Sequence, residues 1–315
     1  MRFKAWMGGL AAAVGLLSAP STALAWSNQG HMITGAIAYD DLLRTDPKLV
    51  ARIETIMAAH PDKATFDRKL QGLTGEARER RLFELMARWP DDARGGPFDH
   101  PSWHYWLRLV MSASDPVAAP ASLLSVSTGE AREAYRLSLA TVRDGFAPAA
   151  DRAVALCWLF HLAGDIQQPL HAGHLISGRF PMSDRAGESD LIRPSSGPAI
   201  NLHEYWDNAV GGDDDDAAHV EATRLRLEKA WPRAGLPELV GRADGDAFNT
   251  WADESYALAR SVAYGDGRFE GASAGGAAVS PTYEKARFEV GGRRVALGGY
   301  RIADAVREGF GPPSR

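Results

Sequence analysis

Cysteine is almost missing from the chain. Cys157 is the only one in 315 residues, so neither an intramolecular disulfide nor a thiolate-rich metal centre can form. It lies in the apolar run Ala153-Val154-Ala155-Leu156-Cys157-Trp158-Leu159-Phe160, where a lone thiol reads as a small buried core residue. Positive charge is not in surplus either. Lys and Arg number 35 against 40 Asp and Glu, a formal net charge of −5, which argues against a broad basic surface for gripping phosphate backbones. Any charge that meets an anion must be local, and bound metal ions could supply it. After the first residues no apolar run is long enough to span a bilayer. No alternating apolar pattern flanks an Asn-Gly or Asp-Gly turn, so a sheet architecture is not expected. No repeat and no shift in composition divides the chain.

What is present begins with an address. Arg2 and Lys4, the apolar stretch Met7 to Ala19 and the small-residue site Ala23-Leu24-Ala25 read as a secretory signal peptide over residues 1–25. Its removal leaves 315 − 25 = 290 residues (26–315) and takes away two positive charges, moving the net charge from −5 to −7. Cleavage also turns Trp26 from an amide into a free α-amine, with a pKa of about 7.7–8.0. That amine can bind a metal together with the residue's own carbonyl, and His31, five residues on, can complete such a site.

The remaining chain reads as one all-α, mainly helical domain. Helices are expected over 31–45, 47–60, 74–88, 128–145, 150–167, 200–210, 217–231, 246–263 and 282–308, with a short β-hairpin possible within Arg287 to Leu297 around Gly291-Gly292. Loops are expected over 113–127 and 175–200. The run Asp213-Asp214-Asp215-Asp216 lacks the spaced ligands and glycine of a calcium loop, and reads as a solvated helix start.

Four segments carry chemistry. In Phe160-His161-Leu162-Ala163-Gly164-Asp165-Ile166-Gln167-Gln168-Pro169-Leu170-His171, His161 and Asp165 share one helix face. Pro169 disfavours helix at Gln168, so His171 can return to the same centre from a turn. Asn201-Leu202-His203-Glu204-Tyr205-Trp206-Asp207-Asn208 repeats the spacing with His203 and Asp207. Arg88-Trp89-Pro90-Asp91-Asp92-Ala93-Arg94 sets a carboxylate beside a guanidinium, and Pro101-Ser102-Trp103-His104-Tyr105-Trp106 sets a histidine among aromatics. Taken singly, each could be a satisfied core pair or a surface ion pair. Together they offer imidazole nitrogens and carboxylate oxygens, which zinc accepts when thiolates are absent. The inventory exceeds what one ion needs.

These segments, in this order, resemble the S1/P1 nuclease family: Trp26 with His31, Trp89 to Asp91, Trp103-His104-Tyr105, His161/Asp165/His171, and Asn201-Leu202-His203 with Trp206-Asp207. Trp251-Ala252-Asp253-Glu254-Ser255 and Gly299-Tyr300-Arg301-Ile302-Ala303 look like that family too. The resemblance implies an exported, zinc-dependent phosphodiesterase of the S1/P1 nuclease and phospholipase C fold type. It would act as a monomer on single-stranded nucleic acid and nucleotides, in the periplasm or outside the cell, with no stable membrane association. It implies three zinc ions. Asp91, His104, His161 and Asp165 would hold one, Trp26, His31 and Asp165 a second, and His171, His203 and Asp207 the third. Attack by hydroxide in line at phosphorus would give 5′-phosphate products, with Asp165 bridging two ions. Arg94 would stabilise the pentacovalent phosphate and Asn208 would hydrogen-bond the base.

Two departures concern substrate. Where family members commonly have an acidic residue after the Trp-His-Tyr region, this chain runs Trp106-Leu107-Arg108-Leu109-Val110. A family Gly-Gly-Asn stretch stands here as Ala186-Gly187-Glu188, which is expected to reshape the loop near the metals. The missing disulfides fit a bacterial-type member. Two rival functions stay open at this point: a zinc-dependent phospholipase C, and a non-catalytic zinc- or phosphate-binding exported protein.

Overall fold

A helix that is apolar on every side must be surrounded by others, and Ala149–Asp165 (α6) is such a helix. The computed structural model describes residues 26–120, 127–241, 243 and 246–311; the proposed signal peptide lies outside the described residues. Ten α-helices form among them. Before α6 come Asn28–Thr45 (α1), Pro47–Met57 (α2), Lys63–Lys69 (α3), Gly75–Asp92 (α4) and Ala131–Arg143 (α5); after it come Leu202–Asp207 (α7), Ala217–Ala230 (α8), Ala247–Leu258 (α9) and Pro281–Phe310 (α10). Helix α6 packs against α4, α5 and α10, and α1 packs against α4 and α10. Their shared core includes Tyr39, Phe83, Met86, Trp158, Phe160 and Ile302. The α1–α4 crossing is close because Gly35 has no side chain: a Cβ there would lie 2.4 Å from the Phe83 carbonyl oxygen.

The all-α expectation holds, with local corrections. Residues 287–297 form no hairpin; they lie inside α10. The two glycines serve packing instead of a turn. A Cβ on Gly291 would meet Ala209 at 2.4 Å and one on Gly292 would meet the Trp231 ring at 2.8 Å. Helix α4 runs through Pro90 to Asp92, four residues beyond its expected end at 88. The expected loop over 175–200 contains strand residues. Five short strands occur among the described residues: Arg108–Met111 (β1), Gly173–Ile176 (β2), Leu191–Arg193 (β3), Ile200–Asn201 (β4) and Ala277–Ala278 (β5). β1 pairs in parallel with β2, Arg108 opposite Gly173, and β4-β3-β5 form a second small sheet. The parallel pair matters for the site, since β1 begins four residues after His104 and β2 two after His171. Trp106 N–H also donates to the His171 carbonyl at 3.0 Å.

Of the acidic run, only Asp216 acts as a helix start, accepting from Ala218 N and His219 N. Asp213 takes the Asn28 N–H at 3.1 Å, Asp214 takes the Gln29 amide, and Asp215 takes Arg81 at 2.6 Å and Arg88 at 3.4 Å. The run straps down the segment that begins at Trp26. Among the described residues, no helix is long and apolar enough to cross a membrane.

Burial raises the Asp184 carboxyl from 3.8 to about 8, although it accepts from Leu175 N–H (2.8 Å) and Tyr264 O–H (2.7 Å). The folded state thus keeps a proton that the unfolded state releases above pH 4. Its contribution is complete below about pH 4 and disappears as pH rises through about 8. Asp184→Asn keeps the shape without the charge. Its unfolding temperature is expected to fall less than that of the parent between pH 5 and 9. Parallel curves for the two proteins would refute the assignment.

Candidate metal centre

Three of the five buried histidines expected as ligands owe their ring orientation to backbone carbonyls. His161 donates Nδ1–H to Ala87 O at 2.9 Å, His171 to His104 O at 2.7 Å and His203 to Ala186 O at 2.8 Å. A carbonyl can only accept, so Nδ1 carries the proton and Nε2 keeps its lone pair for a ligand. The C-terminal part of α4 supplies both Ala87 and Asp91, and α6 supplies His161 and Asp165, so that crossing builds three of the eight ligand residues.

Three side-chain groups with metal-binding potential result: His31, Asp91 and His161; His104, His161 and Asp165; and His171, His203 and Asp207, each with its ligand atoms within 4.8 Å of one another. All eight residues are buried. The third group has the membership expected from sequence. The other two share His161 and divide differently, because Asp91 Oδ2 lies 3.4 Å from His31 Nε2. Asp165 stands between the groups. Its Oδ1 lies 3.7 Å from His31 Nε2, and its Oδ2 lies 3.2 Å from His104 Nδ1, 3.4 Å from His161 Nε2 and 3.3 Å from His171 Nδ1.

The donor set fits cations. His31 Nδ1 and Nε2, Asp91 Oδ2, His104 Nε2, Asp165 Oδ1 and His171 Nε2 are buried with no hydrogen-bond partner, an arrangement that is costly unless a ligand satisfies them. His161 Nε2 and His104 Nδ1 lie 2.9 Å apart, and because His161 carries its proton on Nδ1, His104 Nδ1–H donates to His161 Nε2. Burial favours neutral forms, yet the three carboxyls do not respond alike. Against burial, His171, His161 and His104 hold Asp165 well below the usual carboxylate range, and His161, His104, His31 and Arg94 hold Asp91 at about 2. Asp207 is pushed well above that range, by burial first and then by Asp165 and Asp91, with the Gln168 amide opposing. His31 is driven down to about 3 by burial and by His161. Such a site could hold cations: burial keeps His31 neutral and ready to ligate, whereas Asp165 and Asp91 raise His161 against its burial. Its nitrogen and oxygen donors suit zinc.

Trp26 contributes no side-chain atom to these groups, but its position is firmly set. It is fully buried, its indole N–H donates to Gly164 O at 3.0 Å, and Ser27 N–H donates to Asp207 O at 3.2 Å. Arg94 grips Asp91 Oδ1 through Nε at 3.1 Å and Nη2 at 2.6 Å. Asn208 caps the end of α7, half-buried, and its carbonyl accepts from Arg287. Tyr105 stood in the sequence within the Trp103-His104-Tyr105 segment, with no role assigned to it. Its ring lies 4.9 Å from that of His171 and 6.0 Å from that of His203, forming a flat wall beside the third group.

The loop that departs from the Gly-Gly-Asn pattern keeps a left-handed backbone without its first glycine. Arg185, Ala186 and Gly187 have φ of 58°, 57° and 91°, and this turn aims the Ala186 carbonyl at His203. A Cβ in that region costs roughly 1–2 kcal/mol, more than glycine's extra chain entropy in the unfolded state. Ala186→Gly is therefore expected to stabilise the metal-free protein by about 0.5–1 kcal/mol in urea unfolding. A loss of stability would show that the alanine is unstrained.

Comparison with known proteins gives a consistent picture. A family described as S1/P1 Nuclease matches residues 26–311. Endonuclease 4 of Arabidopsis thaliana is 28% identical over 164 residues, 50% of this chain and 50% of that protein. The chain thus spans about half the length of this curated relative.

Proposed function

The chain belongs to the S1/P1 nuclease family, and from that premise we propose that it is an exported, zinc-dependent phosphodiesterase cleaving single-stranded DNA or RNA to 5′-phosphate products. One observation carries the reading: three buried carboxylates and five buried histidines converge on three adjacent groups beside Arg94 and Tyr105. His171, His203 and Asp207 would hold one ion. His31, Asp91, His104, His161 and Asp165, with the α-amine and carbonyl of Trp26, would hold two more. When bound, zinc supplies a nucleophile that works near neutral pH and charge to offset the phosphate and its leaving oxygen.

The chain's own residues do the rest. Arg94, fixed by Asp91, presents a planar fork suited to two phosphate oxygens. Tyr105 offers a face on which a base can stack, which is tolerant of sequence. Asn208 carries both a donor and an acceptor for a base edge. The negative net charge leaves substrate capture to this centre. Residues 26–315 are taken as one catalytic domain. Export and removal of residues 1–25 are supported by the charge, apolar stretch and small-residue site at the start of the sequence, and by a family match that begins at residue 26.

The test is direct. Purified residues 26–315 should hold three zinc ions per chain and cleave single-stranded DNA, RNA or a 3′-mononucleotide. Activity on phosphatidylcholine with none on single-stranded DNA would make it a phospholipase C. Full zinc with no hydrolysis of any of these would make it a binding protein.

A further inference from the structure

We propose that Gln168 is the positioning residue of the third ligand group, joining Asp207 to the turn that bears His171 through one side-chain amide; this rests on the zinc reading above. Gln168 is fully buried and follows the end of α6. Its backbone N–H donates to Asp165 O at 2.9 Å, and its carbonyl accepts from His171 N–H at 3.1 Å. Its side-chain oxygen accepts the Leu170 N–H and caps the 3-10 turn Pro169–His171. Its side-chain Nε2 donates to Asp207 Oδ1 at 2.7 Å. One residue thereby touches the segments carrying Asp165, His171 and Asp207.

The residue type matters. Only a primary amide presents an acceptor and donors at the two ends of one rigid plane. The acceptor fixes the turn after Pro169, and the donor engages Asp207 Oδ1, leaving Oδ2 as the oxygen that faces His203 Nε2 at 3.6 Å. Glutamate at this position would have acceptors only, set against a second buried carboxylate. The neighbouring glutamine has a different task. Gln167 donates to Ala163 O at 3.0 Å and accepts from Arg301 at 2.7 Å, while its backbone carbonyl takes Arg294 at 3.1 Å. Gln167 therefore ties α6 to α10, whereas Gln168 serves the ligands. Outer partners of this kind typically set metal affinity by about 10–100-fold.

The experiment compares residues 26–315 of the parent with Gln168→Glu and Gln168→Met, the second being an apolar side chain of similar length. Each is loaded with zinc, titrated with a chelator while bound zinc is counted, and melted in the metal-free form. The parent should release three ions. Both variants should lose one ion at about 10–100-fold lower chelator and keep the other two at parental affinity. In the metal-free form both should melt below the parent, because buried hydrogen bonds are lost, while keeping a cooperative transition. Parental affinity for all three ions in both variants would overturn the proposal. So would a uniform weakening of all three, which marks a general effect on the fold. A parental count below three would overturn the zinc reading, and this inference with it.

Discussion

Asp165→Asn is expected to lower turnover on single-stranded DNA by about a thousandfold or more. The asparagine fits the same space, yet it replaces one anionic oxygen with an NH2 group that cannot ligate. Asp165 is the carboxylate surrounded by His31, His104, His161 and His171 at 3.2–3.7 Å, and those histidines hold it ionised against burial. If Asp165 bridges two zinc ions as proposed, losing it forfeits several kcal/mol of transition-state charge stabilisation, and each 1.36 kcal/mol is about tenfold in rate. Bound zinc should fall in parallel, with helical content unchanged by circular dichroism. Turnover within tenfold of the parent would remove Asp165 from the mechanism.

The second large effect concerns Trp26, the first residue of the processed chain proposed above. One glycine added before Trp26 converts its α-amine into an amide, which cannot ligate without losing a proton. The anchors around it do not depend on that amine. They are the indole N–H on Gly164, Ser27 Oγ on Gly211 at 3.0 Å, and Gly212 N–H on Gln29 at 2.7 Å. Burying the indole alone contributes roughly 4–6 kcal/mol, at about 25 cal/mol per Å2 over about 150–250 Å2. The extended protein should therefore fold with nearly the parental melting temperature in the metal-free state. It should hold one zinc fewer and lose about a hundredfold or more in activity, the equivalent of about 3 kcal/mol. Mass spectrometry of the intact chain must first verify the added residue. Three bound zinc ions and parental turnover would dismiss the α-amine as a ligand.

Much of the site was legible because helix geometry is periodic. The four-residue spacings His161/Asp165 and His203/Asp207 place both pairs on single helix faces, and Pro169 accounts for the turn that returns His171. What stayed hidden depends on tertiary contact. Asp91 approaches His31 because α4 continues through Pro90 and crosses α1 at Gly35, a meeting that no local spacing encodes. Gly291-Gly292 was open to a turn reading because glycine suits both turns and tight helix crossings; Ala209 and Trp231 decide for the crossing. The parallel pairing of β1 with β2 joins segments 65 residues apart, Arg108 with Gly173, and neither strand is long enough to announce itself. Helix α3 has only seven residues, with one buried apolar side chain to mark it.

The hydrogen bond from Ser27 to Asp207 joins residues 207 − 27 = 180 positions apart. Closing a loop of that size costs on the order of 5 kcal/mol of chain entropy, and contacts this distant in sequence slow folding. Assembly of the centre is therefore a late event: residue 26 cannot reach the α6–α7 region until the intervening helices are in place. In the exported chain proposed here, that closure follows membrane passage. The unfolded precursor would cross without its metals, and loading would become a property of the destination compartment.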